Sequence, residues 1–101
     1  MTITPEQCGA ARILTHVDRD LLATASGVPA PAIAAFEESE APLAVGDLER
    51  VRQALERLGA DFIPEDEMGG AGVRLRFDAG QARQISAWEE EGGTAADDDV
   101  V

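Results

Sequence analysis

Apolar positions in the first part of the chain recur at intervals of three and four, and from Ala60 onward the interval falls to two. The first helical segment opens at Thr4-Pro5-Glu6-Gln7. Thr4 supplies a capping side chain, Pro5 suits the first helical position, and Gln7 completes a capping box. Ile3 and Cys8 have the spacing of a hydrophobic staple. This helix is predicted to run to about Thr15, with Cys8, Ala11 and Leu14 or Ile13 facing inward. Asp18 caps a second helix from Arg19 to Ser26, with Val17 stapled to Leu22, and Gly27 ends it because a sharp turn there favours φ > 0. The third helix lies in GVPAPAIAAFEES, residues 27–39, and covers roughly Ala30 to Glu38, with Ile33 and Phe36 one turn apart on its buried side. Pro31 is tolerated in a first turn, but Pro29 has no capping side chain, which forgoes about 1 kcal/mol. After a connector over residues 39–46, Asp47 opens a fourth helix in which Leu48, Val51, Leu55 and Leu58 form one apolar stripe, and Gly59 stops it.

The change of period predicts a short strand at Ala60-Asp61-Phe62-Ile63 and a second at Val73-Arg74-Leu75-Arg76-Phe77. The intervening PEDEMGGAG reads as a loose hairpin tip. Asp78 and Gln81 start a last amphipathic helix carrying Ala82, Ile85 and Trp88, and from Glu89 the chain turns to Glu, Gly and Asp, a composition that does not build a core. The organisation expected is a helical unit over 1–59, a β-hairpin over 60–77, a short amphipathic helix over 78–91 and a disordered acidic tail over 92–101. The fold class is mainly α.

Charge alters this picture most. The chain of 101 residues carries a formal net charge of −12, and all eight of its basic residues are Arg. Residues 1–59 hold nine acids and five Arg, whereas residues 60–101 hold eleven acids and three Arg, so the second part is the more acidic. A protein whose main task is neutralising phosphates carries the opposite balance. A single Cys permits no internal disulfide, and there is no leader-like segment or apolar run approaching 18 residues. These features predict a cytoplasmic protein that does not engage a membrane.

Little in the chain suggests catalysis. Cys8 lies on an apolar helix side, where a small core residue is the expected role, and His16 has no second His or other Cys to join it in a zinc site or triad. MGGAGVRL, residues 68–75, lacks the Gly-Lys-Ser/Thr ending of a phosphate loop, and Glu65, Asp66 and Glu67 lack the spacing of a calcium loop. Trp88 fits a core-covering position. The expectation is a non-enzyme with no metal and no cofactor.

The order helix, helix, glycine turn, helix and supporting helix resembles the small bacterial Xre family of phage-repressor-like helix-turn-helix regulators. TPEQCGAARILT, LLATASGV and IAAFEES carry the likeness, as does LERVRQALERLGADFIPEDEMGGAGVRLR, so that it spans residues 4–76. The resemblance implies a four-helix DNA-binding domain, dimeric, acting in transcriptional regulation. In such folds the start of the second helix touches phosphate and the first half of the third reads base edges. By position, the resemblance makes Arg12, Arg19, Pro29, Ala30, Ala32, Ala34 and Ala35 the DNA-contact candidates. Framework residues Gly27, Val28, Ile33, Phe36 and Glu37 match the family pattern. The reading positions depart from it: where the family carries Ser, Thr and Arg, this chain has Pro and Ala.

A bidentate base contact discriminates by roughly 1–3 kcal/mol and needs Arg, Lys, Asn or Gln. Direct sequence-specific DNA reading is therefore expected to be weak or lost. A second reading keeps the fold and changes the use, to an acidic protein-binding module that antagonises another, basic regulator or mimics DNA. Glu38 and Glu40 are its partner-binding candidates. Val73, Leu75 and Phe77 are candidates for contact with a second copy of the chain in a homodimer.

Overall fold

The computed structural model describes residues 2–77, in which four helices precede one antiparallel hairpin. The helices are α1 (Pro5–Thr15), α2 (Arg19–Ser26), α3 (Ala30–Glu37) and α4 (Val45–Arg57); the strands are β1 (Ala60–Ile63) and β2 (Gly72–Leu75). The helix expected over 78–91 and the acidic tail over 92–101 lie outside the described residues.

The local signals act as read. Thr4 accepts from the Gln7 backbone N–H at 3.0 Å while the Gln7 side chain accepts from the Thr4 N–H at 2.9 Å, closing the capping box. Asp18 accepts from the Leu21 N–H at 2.8 Å, and Gly27 ends α2 at φ 78°. Helix α3 starts without a side-chain cap, as the Pro29 composition implies. Helix α4 begins at Val45, two positions before Asp47. Asp47 sits in the first turn, where its charge faces the positive end of the helix, and it pairs with Arg50 instead of capping.

The core lies where the four helices meet the inner face of the hairpin. Ile3, Leu22, Val28, Ile33, Val51 and Leu55 are its largest fully enclosed side chains. Each such aliphatic group contributes about 1.5–3 kcal/mol through burial. Leu48 and Leu58 complete the α4 stripe from partly buried positions. On α1 the inward side is Gln7, Cys8 and Ala11. Ile13 is 72% exposed and Leu14 lies at the border of full exposure, contrary to the expectation that one of them faces inward. For Ile13 the reason is angular: Cys8 and Ala11 define a stripe whose next members are Arg12 and Thr15, which leaves residue 13 on the far side.

The strands pair Ala60 with Leu75, Asp61 with Arg74, Phe62 with Val73 and Ile63 with Gly72. Ala60, Phe62 and Val73 therefore share the inward face, and Asp61 and Arg74 form an ion pair at 3.0 Å on the other. The tip is tighter than its glycines suggest. Asp66 and Gly69 exchange backbone hydrogen bonds, and the Asp66 carboxylate accepts from the Met68 N–H at 2.8 Å. At the open end, the Arg76 N–H donates to the Gly59 carbonyl at 2.8 Å. Gly59 adopts φ 117°, a conformation that L side chains rarely take, so this turn favours glycine, and a Cβ there would also lie 3.2 Å from the Phe77 ring.

Gln7 fastens the hairpin to α1. Its buried side-chain amide donates to the Gly72 carbonyl at 2.8 Å and to the Ile63 carbonyl at 3.2 Å, one oxygen from each strand. Replacing Gln7 by Ala removes half of the capping box and leaves both carbonyls without this donor. We expect a loss of about 2–4 kcal/mol in urea unfolding, with faster amide exchange in residues 60–75 than in α4. An equal loss of protection in both segments would remove the assigned role of Gln7 as the hairpin's tie.

Candidate functional site

The region that the sequence singles out is α3 with the two arginines beside it. Helix α3 is held by Ile33 and Phe36, which are buried, and by Ala32, which is partly buried against the core. Pro29 and Pro31 are exposed, and Ala30, Ala34 and Ala35 are half-buried. The accessible side of the helix is thus built from Ala and Pro, with no guanidinium, ammonium, hydroxyl or amide side chain between Pro29 and Phe36.

The residue after Phe36 organises the surroundings. The Glu37 side chain is 5% exposed and lies on the α3 side that faces α1 and α2. Arg12 binds it in a fork, Nε to Oε2 at 2.6 Å and Nη2 to Oε1 at 2.7 Å. Arg19 Nε donates to Oε1 at 3.0 Å, and the Cys8 thiol donates to Oε2 at 3.2 Å. Arg12 uses its remaining nitrogen, Nη1, on the Val17 carbonyl at 3.2 Å, across the α1–α2 turn. One carboxylate therefore takes four hydrogen bonds from two helices.

Protonation follows from this geometry. Burial works to raise the Glu37 pKa, but the hydrogen bonds from Arg12, Cys8 and Arg19 outweigh it, and the net shift is downward from 4.5. Burial, and after it the hydrogen bond to Glu37 and its negative charge, push the Cys8 thiol far up. Cys8 is a neutral donor in this arrangement and does not supply a thiolate. The hydrogen bond to Glu37 raises the Arg12 pKa.

The structure brings Arg12 and Arg19 together beside α3 and commits both to Glu37. Arg19 keeps more access to solvent, its side chain being 34% exposed, and reaches Glu38 Oε2 at 3.4 Å. Glu38 and Glu40 are exposed at the carboxyl end of α3. Beside Glu40, a groove of about 260 Å³ is lined by Pro5, Phe36, Ser39, Ala41 and Pro42. Val73, Leu75 and Phe77 lie away from α3, at the hairpin. Val73 packs on the core, Leu75 is half-buried opposite Ala60, and Phe77 covers Gly59.

Reading the sequence alone leaves the Glu37 cluster unassembled. The available signal is a carboxylate at the third position of the stripe Ile33, Phe36, Glu37, a helical face otherwise apolar. A charge there requires a partner. Among the described residues no group of three or more His, Cys, Asp or Glu side chains could hold a metal ion. No described helix is long and apolar enough to cross a membrane. No protein-family model matches the chain, and no curated protein matches it either.

The pH dependence of stability tests the cluster. Because the folded pKa of Glu37 is depressed, its contribution is complete above the ordinary value of 4.5 and is lost as pH falls below that value through the folded one. Glu37→Gln should lower stability at pH 7 by about 2–4 kcal/mol, since it leaves the Arg12 charge in a partly buried place. It should also flatten the fall in urea midpoint between about pH 5 and pH 3. Parallel pH profiles for the two proteins would show that Glu37 is not the titrating group.

Proposed function

We propose that this chain is a helix-turn-helix protein of the Xre type that acts in transcriptional regulation, with direct reading of base edges weak or lost. One observation carries the proposal: the accessible side of α3, from Pro29 to Ala35, offers no side-chain donor or acceptor to a base. Ala provides only methyl contact with thymine, far below the roughly 1–3 kcal/mol of a bidentate pair. Arg12 and Arg19, the candidate contacts from α1 and α2, hold Glu37. The exposed Glu38 and Glu40 add repulsion toward phosphates.

A second reading, an acidic module that binds another regulator or mimics DNA, is favoured by Glu40 lining the Pro5–Phe36–Pro42 groove, with Glu38 also exposed at the carboxyl end of α3. Apolar walls with a carboxylate at the rim suit a Lys or Arg side chain of a basic partner, its stem on Phe36 and its cation at Glu40. Both readings include a homodimer formed through residues 60–77. The inward face of the hairpin has α1 and α4 as cover, so the contact is assigned to the outward face around Ile63.

At physiological salt the purified protein should give no sequence-specific shift on its own upstream DNA. The combination Pro29→Ser, Ala34→Arg and Ala35→Arg should raise general DNA affinity and steepen its salt dependence by about one unit of slope per new phosphate contact. Tight, competitor-resistant binding by the unmodified chain defeats the proposal. Capture of a basic regulator that is lost in Glu38→Gln/Glu40→Gln selects the second reading.

The dimer is tested by sedimentation. Ile63→Asp should give monomers with the helical circular dichroism retained, because the substitution adds charge to an outward position. Leu75→Asp is the poorer probe, since Leu75 pairs with Ala60 on the inward face. A wild-type chain that sediments as a monomer at millimolar concentration rules out the dimer.

A further inference from the structure

The groove of about 260 Å³ at the carboxyl end of α3 has apolar walls from Pro5, Phe36, Ala41 and Pro42, and its only polar side chains are Ser39 and Glu40. Phe36 belongs to the core, so the groove ends on a packed floor. No basic side chain lines it, and the last turn of α3 contains none. The negative end of the α3 dipole thus stands beside carboxylates, the reverse of the favourable arrangement. Two of these carboxylates have partners within the fold: Glu37 is held by Arg12 and Arg19, and Glu38 by Arg19 at 3.4 Å. Glu40 is exposed and forms no ion pair among the described residues.

The turn that brings Ser39 and Glu40 to the groove is fixed by the backbone. The Ser39 N–H donates to the Phe36 carbonyl at 3.0 Å and the Glu40 N–H to the Ala35 carbonyl at 2.8 Å, with Ser39 at φ 60°. Glycine is the usual residue at such a helix end. Serine is the less comfortable choice for the backbone, and it adds a hydroxyl to the groove lining. These properties define the occupant by complementarity. An aliphatic stem suits the walls of Pro5, Phe36 and Pro42, and a cation suits Glu40 and the dipole end. A guanidinium has N–H donors enough to serve the Glu40 carboxylate and the Ser39 hydroxyl together. It is also more weakly hydrated than an ammonium, so it enters between apolar walls more readily than lysine does.

We propose that this groove takes the side chain of an arginine on a partner protein, its stem between Pro5, Phe36 and Pro42 and its guanidinium donating to Glu40 and Ser39. The inference rests on the second reading above, the acidic protein-binding module, and narrows its basic anchor from Lys or Arg to Arg. It makes Glu40 the residue that selects a cation and Ser39 the residue that selects a guanidinium over an ammonium.

The test is NMR titration of the full chain, in about 0.1 M NaCl to screen long-range attraction, with two capped peptides, Ala-Leu-Arg-Leu-Ala and its lysine counterpart. The arginine peptide should shift the Phe36 ring signals and the amides of residues 39–42, and should bind at least about threefold more tightly than the lysine peptide. E40Q should weaken the arginine peptide about fivefold or more, because it removes the one charge lining the groove. E65Q/E67Q, which removes more charge at exposed positions of the hairpin tip, should weaken it by less than about twofold. S39G separates the fold from the site: it relieves the left-handed residue, so the urea midpoint rises, while the preference for arginine over lysine shrinks with loss of the hydroxyl. The proposal is overturned if the arginine peptide leaves residues 39–42 unmoved, if the two peptides bind equally, or if E65Q/E67Q weakens binding as much as E40Q does. The two ideas fail separately. A basic regulator held equally by the unmodified chain and by E40Q overturns the arginine anchor and leaves the acidic-module reading standing. If that reading is wrong, neither protein holds such a regulator, whatever the peptides show.

Discussion

The Glu37 carboxylate is the constraint on which the arrangement of the first three helices depends. Helices α2 and α3 have eight residues each, too short to persist alone. Helix α3 also lacks a capping side chain and buries few large apolar groups. A third anchor is needed to fix its direction, and Glu37 supplies it by accepting from Arg12 and Cys8 of α1 and Arg19 of α2. The net stability of a buried ion pair over an apolar contact of equal volume is small, because desolvation offsets most of the attraction. Its effect is directional: a forked guanidinium accepts a carboxylate in one plane, so α3 cannot slide or rotate along α1 without breaking both bonds. The same bonds use up positive charge that would otherwise face the accessible side of α3.

Polar links of this kind recur on α1 and give that helix two distinct partners. Gln7 reaches the carbonyls of Ile63 and Gly72, and Arg12, little more than one turn later, reaches Glu37. Cys8 and Ala11, between them, fill the apolar space. Helix α1 therefore registers the hairpin at one end and the helix pair α2–α3 at the other. This explains how a hairpin of two four-residue strands, marginal in isolation, keeps a defined position: its inward face rests on the core and its strand ends are held by one buried amide.

Local structure was the most legible part of the sequence. The Thr4–Gln7 box, the Asp18 cap, the Gly27 turn, the α4 stripe and the change of period at Ala60 each place an element, because each depends on residues within a few positions of one another. What sequence periodicity does not yield is the angular phase of a short amphipathic helix when polar residues share its buried face. On α1 the inward stripe contains Gln7 and Arg12, so a search for apolar partners turns to Ile13 and Leu14, which face out. Glu37 poses the same difficulty. Its role comes from Arg12 and Arg19, 25 and 18 positions earlier, and contacts at that separation leave no local pattern. The groove at the end of α3 is illegible for the same reason, since it exists only once Pro5 of α1 stands beside Phe36 and Pro42.

The scaffold and the accessible face of α3 are energetically separable, and this bears on how the protein is used. Ile33, Phe36 and Glu37 hold the helix, while Pro29, Ala30, Pro31, Ala34 and Ala35 contribute little to the core. Exchanging Ser, Thr or Arg for Ala at half-exposed helical positions changes intrinsic helix preference by at most about 0.7 kcal/mol, and in favour of Ala. The fold therefore neither requires base-reading side chains nor suffers from their absence. A helical framework of this kind keeps its packing whatever side chains its accessible face carries, so the fold alone does not tell what that face binds. On the described surface the directional polar chemistry beside α3 lies at its carboxyl end, in the exposed carboxylates Glu38 and Glu40.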